Sequence, residues 1–389
     1  MKLYNSAVNY FITTSIPYVN GDPHIGFAME LIQADVLARA ARIQKTPVIF
    51  TTGTDEHGGK VAEKALANKL TPKAFTDQIS ASFRDVASLL NVSNDRFIRT
   101  TDPGHEQRAQ LIWKALKKDI YKGKYTGWYC TGCEAFVTEA VAKENKGTCP
   151  HHNKAYEKIE EENYFFKLSA YAPQIEKSIL DGTFRIIPAT KKHEILQVFK
   201  DGLEDISISR PKDKISWGIA VPDDDTQVMY VWFEALMNYI TVLGYPEHED
   251  FKKFWPANVQ IIGKDILRFH AAIWPGILLG LGLPLPKILY VHGFVTVDDK
   301  KMSKSIGNVI HPKEIIDAYG VDAFRYYFLR HIPSYGDGDF SWARLHAAYN
   351  NELGNELGNA VQRTAAMITQ YQNGIIGKTP EAEHDQAQY

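Results

Sequence analysis

The stretch from Tyr10 to Thr52 reads strand, helix, strand, and that order leaves few folds open to the chain. Tyr10 to Ser15 (Tyr-Phe-Ile-Thr-Thr-Ser) is β-branched and aromatic, as strands are. After the turn Ile16-Pro17-Tyr18-Val19-Asn20-Gly21, the apolar residues Met29, Ile32, Val36, Ala40 and Ile43 recur at helical spacing. Val48 to Thr52 is a second apolar run, ending in Gly53-Thr54-Asp55-Glu56-His57-Gly58. Two strands joined through a helix pair in parallel, so the expected class is α/β, with a doubly wound, Rossmann-type sheet. Ligands collect at the carboxyl ends of such strands. His24 opens the helix there, beside free N–H groups and a positive helix end, which suits an anion. Helix capping would account for His24 or for Asp55 alone, and accounts less well for both at neighbouring strand ends.

Composition narrows the rest. A chain of 389 residues, 44% hydrophobic and 23% charged, has the make-up of a soluble globular protein with two or three domains. Its net charge of -2 gives no electrostatic argument for nucleic acid, so any RNA contact must be local. The most apolar region, Phe269 to Pro286, falls short of the roughly 20 residues a bilayer needs and is broken by three prolines. No signal peptide is evident, and the expected location is cytoplasmic, without membrane association.

All three cysteines fall in one stretch. Cys130-x-x-Cys133 is followed fifteen residues on by Cys149-Pro150-His151-His152. Three thiolates and an imidazole are the ligand set of a closed structural zinc site, with His152 favoured over His151 by the three-residue step. Gly132 and Gly147 suit the tight turns. Such a site has no open position and holds an insertion together without entering chemistry.

The sheet pattern resumes near Met229. Trp232, Ala235 and Tyr239 share one helical face, for which core packing is the plainer reading. Val259 to Asp265 is a strand running into a tight turn, Ile266 to Ile273 a helix bearing His270, and Ile288 to Val291 another strand. It leads through Val291-His292-Gly293-Phe294-Val295-Thr296-Val297 to Lys301-Met302-Ser303-Lys304-Ser305. Two lysines three apart on a short loop can both reach one polyanion. The last helix carries a stripe of Leu345, Tyr349, Leu353, Leu357, Val361, Thr364 and Ile368, which calls for a packing partner.

Pro23-His24-Ile25-Gly26-Phe27 and Lys301-Met302-Ser303-Lys304-Ser305 together resemble the HIGH and KMSKS signatures of class I aminoacyl-tRNA synthetases, and the surrounding residues resemble the methionyl members. The resemblance spans nearly the whole chain. It implies ATP-dependent activation of methionine, attack of its carboxylate on the α-phosphorus, and transfer to the 3′ end of tRNA(Met). A carboxylate is already a nucleophile, so the chemistry needs anion positioning rather than a general base. By the same resemblance His24, Lys301 and Lys304 are the catalytic donors. Gly26, Phe27, Gly263, Asp265 and Ser303 complete the ATP site, with magnesium accompanying the nucleotide. Ile16, Tyr18, Trp232, Ala235, Tyr239, Ile266 and His270 are implied around the methionine side chain, with Asp55 on its ammonium. His270 and the Tyr18 hydroxyl are expected to donate toward sulfur, and Arg210 to pair with Asp265 on closure.

The implied division is 1–118 and 228–310 for the two halves of the catalytic domain, 119–227 for the zinc-knuckle insertion, 311–344 for a stem-contact-like linker, and 345–389 for the start of an anticodon-binding helical bundle. One departure stands out: Phe27 occupies the place where the family most often has histidine. A slower ATP site is expected, and poor tRNA charging without the rest of the bundle. Two other readings compete: a class I synthetase for cysteine or a branched aliphatic amino acid, and a non-catalytic fragment binding RNA or protein through the knuckle and Lys117, Lys118, Lys122 and Lys124. Oligomeric state is left open.

Overall fold

All five residues of Tyr10–Thr14 (β1) are buried, and their side chains feed two different cores. Phe11 points into one cluster with Ile262, Leu289 and Val291, while Tyr10 and Ile12 join the other with Phe50, Val259 and Ile261. A strand apolar on both faces belongs in the middle of a parallel sheet covered by helices. The computed structural model describes residues 9–131, 135–137, 139–150, 153–302 and 307–376. Its central sheet has six strands: β1, Val48–Thr54 (β2), Arg96–Arg99 (β3), Arg185–Ile187 (β4), Val259–Gly263 (β5) and Ile288–His292 (β6). They lie in the order β3-β2-β1-β5-β6-β4, every pairing parallel.

The expected α/β doubly wound sheet is therefore present. The first helix, Ile25–Ile43 (α1), starts and stops where the apolar period does. β1 ends one residue earlier than expected and β2 runs two residues longer, to Thr54. Strand order turns back at β1, which has β2 on one side and β5 on the other, so the crevice for a ligand opens outside the ends of β1 and β5.

The stretch read as an insertion is built on a long antiparallel pair, Ile120–Cys130 with Glu157–Phe166, extended by Ala135–Val137. Within that same stretch, however, Arg185–Ile187 returns to the central sheet as its edge strand beside β6.

Past β6 the chain squeezes by Gly293, where a Cβ would lie 1.8 Å from the Gly336 oxygen; only glycine fits this crossing. It then forms a hairpin, Val295–Val297 with Lys300–Lys301. The two turn residues, Asp298 and Asp299, have φ of 49° and 60°, the left-handed pair a two-residue hairpin turn demands. Helices Pro312–Tyr319 and Val321–Arg330 follow, then a last helical run from Trp342 to Gln372 with a wide π segment over Tyr349–Gly358. Of the apolar stripe expected there, Leu345 is buried, while Leu357 and Val361 are more than half exposed. Among the described residues no helix is long and apolar enough to cross a membrane.

Candidate active site

The start of α1 and the base of the lysine loop come together. His24 caps α1, its Nδ1 accepting the Gly26 N–H at 3.1 Å. That bond fixes the tautomer: in the neutral ring Nε2 carries the proton and can donate outward. Desolvation by the surrounding protein, although the side chain still reaches solvent, and then the nearby His311 lower the His24 pKa, which favours this neutral form. A Cβ on Gly26 would sit 2.9 Å from His24 Cε1 and 3.9 Å from the Met302 methyl, so Met302 reaches the same turn. On the far side of the loop the Ile310 carbonyl accepts the Ile25 N–H (3.2 Å), and His311 Nδ1 donates to the Pro23 carbonyl (3.0 Å).

Two expectations change here. The N–H groups of Ile25 and Gly26 are already taken, by Ile310 and by His24, so anion binding at this end rests chiefly on side chains. Phe27 is buried against Phe83, ring centroids 4.9 Å apart and nearly perpendicular, so its ring is a packing element of the helix. Lys301 closes the hairpin with its ammonium 5.5 Å from the Phe294 ring centre. Ser303 and Lys304 lie outside the described residues.

A buried carboxylate ties the neighbouring strand ends. Glu30 of α1 accepts from the Ser15 N–H (2.6 Å) and hydroxyl (2.7 Å), and from His292 Nε2 (2.8 Å). His292 Nδ1 meets the Gly293 carbonyl at 2.7 Å. Both ring nitrogens thus face acceptors only, which requires an imidazolium. Burial opposes that charge, but the hydrogen bond and charge of Glu30 raise the His292 pKa above its usual value. Gly263 lies at the end of β5, where a Cβ would be 2.8 Å from Asp265 Oδ1; Asp265 itself is exposed. Lys264 between them pairs with Asp337 (2.7 Å), which also accepts the Phe294 N–H (2.9 Å).

The residues implied for the amino acid gather on the other side of β1. Tyr18 and Asp55 form a parallel bridge, with the Asp55 N–H donating to the Pro17 carbonyl (2.9 Å) and Val19 N–H to the Asp55 carbonyl (3.0 Å). Asp55 is buried and is not a helix cap. Tyr18, Trp232 and Ile266 are partly buried and pack on one core with the fully buried Tyr239; Ala235 is buried and Ile16 partly so. Trp232 stacks on Phe269 at 4.0 Å. Burial, followed by the charges of Glu30 and Asp55, raises the Tyr239 pKa, so both carboxylates stand within electrostatic range of this hydroxyl.

His270 is saturated. Its Nδ1–H donates to the Ile266 carbonyl (3.0 Å), so Nε2 is an acceptor and takes the Tyr239 hydroxyl at 2.7 Å. Burial holds its pKa down to about 4, partly offset by the Ile266 bond, so the ring is neutral. The expectation that His270 donates to a sulfur fails for this tautomer. Its place is to orient Tyr239.

Sequence reasoning missed a layer beneath this subsite. Glu234, on the short helix Val231–Ala235 with Trp232 and Ala235, is fully buried. It accepts from His57 Nδ1 (2.9 Å) and His105 Nε2 (2.9 Å), and His105 Nδ1 accepts the Thr241 hydroxyl (2.8 Å). Burial opposes charge on His57, but Glu234 and Glu106 raise its pKa to about 10, while the two histidines hold the Glu234 carboxyl low against its own burial. The pattern could not be read in sequence because the partners lie 177 and 129 residues apart.

Arg210 is buried over the Tyr230 ring (4.1 Å), with Nη1 donating to Ser207 and Ser209, rather than paired to Asp265. Lys122 bonds Asp224 (3.1 Å) and approaches Glu162 (3.4 Å), so its charge is balanced and the suggested basic patch loses a member. Cys130 and Cys149 are buried in one small cluster with Ala142 and Tyr156. Cys133 and His152 lie outside the described residues, and among the described residues no group of three metal-ligating side chains occurs.

The switch point between β1 and β5, with the histidine-capped helix and the hairpin leading onto it, defines a doubly wound α/β protein whose ligand crevice lies at that point. Comparison with known proteins gives the particular family. The family profile described as tRNA synthetases class I (M) matches residues 10–159 and 152–365. The chain is 45% identical over 378 residues to the methionine–tRNA ligase of Caldanaerobacter subterraneus subsp. tengcongensis, covering 96% of this chain and 59% of that protein. To the methionine–tRNA ligase of Brucella melitensis it is 44% identical over 381 residues, covering 97% of this chain and 73% of the relative. Among solved structures, Mycobacterium tuberculosis methionyl-tRNA synthetase bound by methionyl-adenylate matches with a TM-score of 0.90 and 39% identity, over 96% of this chain and 75% of that one. The free form from the same organism matches at 0.81 and 34% identity, over 96% of this chain and 72% of that one. The chain belongs to the class I tRNA synthetases of the methionine type.

Proposed function

We propose that the chain is the catalytic part of a methionine–tRNA ligase, activating methionine with ATP and passing the methionyl group to the 3′ end of tRNA(Met). The observation that carries this reading is the meeting of two distant segments: Met302 against the Gly26 turn, and Ile310 bonded to Ile25. A triphosphate laid across this junction has the outward Nε2–H of His24 beneath it, with Lys301 and Lys304 within a loop's reach. Each donor aimed at charge that develops in the transition state is worth about 3 kcal/mol. By family resemblance Gly26, Phe27 and Ser303 belong to the ATP site, and the Gly263–Asp265 turn suits the ribose. Magnesium would accompany the phosphates, spreading their charge.

For methionine, the support is a partly buried aromatic wall (Tyr18, Trp232) with Ile16, Ala235 and Ile266, oriented by the Tyr239–His270 pair. Sulfur–aromatic contacts add roughly 0.3–1.5 kcal/mol each. Asp55 is the counter-charge for the ammonium. Its neighbour His57 is ion-paired to Glu234 and approaches Glu106.

Zinc fits the insertion. Cys130 ends a strand and Cys149 sits in a turn whose Cys149 N–H bonds Lys154 O and Asn153 N–H bonds Cys149 O, both at 2.8 Å; both cysteines face one cluster. With Cys133 and His152 they would supply the four ligands of a closed site that cross-braces the insertion. In this reading residues 1–118 and 228–310 carry catalysis, 119–227 the knuckle, 311–344 the stem contact, and 345 onward the anticodon-side helices. The setting is cytoplasmic.

The test is amino-acid-dependent ATP–pyrophosphate exchange by the purified chain with zinc and magnesium. Exchange with methionine, and none with cysteine, isoleucine or valine, is the expected result. Exchange with none of them, or with another amino acid in preference, refutes the assignment.

A further inference from the structure

We propose that His311 supplies a second imidazole to the triphosphate end of the site, a role the buried Phe27 cannot fill; the inference rests on the ATP-dependent reading above. Three observations bring His311 there. Its Nδ1 donates to the carbonyl of Pro23, the residue just before His24. The preceding Ile310 carbonyl binds the first N–H of α1. The two imidazoles are close enough for His311 to disfavour a proton on His24. The side chain also takes part in a capping box with Glu314 and is only partly buried.

The backbone of His311 is held as firmly as its ring. It begins the helix Pro312–Tyr319, and its N–H donates to Glu314 Oε1 at 2.9 Å. The imidazole is thus anchored through Nδ1 and presented through Nε2. With Nδ1 held at a carbonyl, Nε2 is the ring nitrogen turned away from that bond and able to meet an anion. His24 and His311 then reach the phosphates from two different segments of the chain. The pair arises because the chain comes back from the lysine loop onto the helix that begins at His24, so the second histidine comes from the other end of the fold.

The test separates anchoring from phosphate contact by replacing each nitrogen in turn. In His311→Asn the side-chain amide stands where Nδ1 stands and keeps the bond to Pro23; in His311→Gln it reaches nearer the Nε2 position. Methionine-dependent pyrophosphate exchange is measured for the full chain and both variants at varied ATP, with unfolding midpoints as the folding control. The expected result is a loss of about 10²-fold in kcat/KM for ATP in the Asn variant, with the methionine KM and unfolding midpoint unchanged and partial recovery in the Gln variant. Wild-type exchange in His311→Asn overturns the proposal, and so does an equal loss in both variants accompanied by a lowered midpoint. If the unaltered chain shows no exchange, the ATP-dependent reading itself has failed. Calorimetric titration with inorganic tripolyphosphate then tests His311 alone: weakened binding in the Asn variant supports the contact, equal binding overturns it.

Discussion

Replacing Glu234 with glutamine probes the layer under the amino-acid subsite. Glu234 is fully buried, with one oxygen 2.9 Å from His57 Nδ1 and the other 2.9 Å from His105 Nε2. Glutamine keeps one acceptor but turns an amide N–H toward the other imidazole N–H, so one bond becomes a donor–donor contact. Breaking one side of a buried charge pair costs about 3–5 kcal/mol. The pKa of His57 gives a second measure: raising an imidazole from 6.5 to about 10 corresponds to at most roughly 5 kcal/mol of folding free energy. The expected loss at pH 7 is therefore about 3 kcal/mol, read as a lower urea midpoint followed by tryptophan fluorescence. The sign with pH follows from the direction of the shift. A raised histidine contributes fully below its unfolded pKa of 6.5 and loses that contribution as pH climbs toward 10. Wild type should weaken across that window, and the gap to Glu234→Gln should close. Because Trp232 and Ala235 share the helix, the methionine KM should also rise about tenfold, a misplacement effect. Stability curves for the two proteins that run parallel from pH 6.5 to 10, within about 0.5 kcal/mol, would refute the argument.

Tyr239→Phe should leave His270 Nε2 without its donor, costing about 1–3 kcal/mol and weakening methionine in the exchange assay. The wild-type methionine KM should show no His270 titration between pH 5.5 and 8, since that ring is held near 4. Gly26→Ala puts a methyl 2.9 Å from His24 Cε1, so the ring must move; exchange should fall by about 10²-fold or more while circular dichroism is unchanged. Chelation should release one zinc per chain, measured with a colorimetric indicator, and change fluorescence near Trp128, which packs on the Cys130–Cys149 cluster. Exchange should persist, because a closed structural site takes no part in chemistry.

The framework was legible where side-chain period and burial agree. Ile25–Ile43 emerged with both bounds intact although Val36 and Ile43 of the expected stripe are exposed: the buried positions Ile25, Ala28, Ile32, Ala34, Ala38 and Ala41 run along its length, and the chain turns at Gln44 and Lys45. Arg185–Ile187 was not legible: three residues are too few to show alternation, and only the free edge of β6 makes them a strand. The paired signatures lie in segments that meet, Met302 against the Gly26 turn, yet spacing says nothing about which nitrogen of a ring is engaged, so His270 was expected to donate when it accepts. Phe27 looked like a weakened ligand because the motif was read as a line; on a helix, position 27 faces Phe83 and the core. His311 and Glu234 were invisible for a different reason: their partners are supplied by segments more than a hundred residues away.

The crossing at Gly293 and Gly336 also governs mechanics. Two backbones in van der Waals contact leave no slack, and immediately beside them Asp337 holds both the Lys264 ammonium and the Phe294 N–H. The turn after β5 and the root of the hairpin are thereby stitched to a common post. A linker or tag spliced into 334–338 would tilt both together, so grafting experiments on this chain should choose the exposed turn at 68–70 and leave that seam uncut.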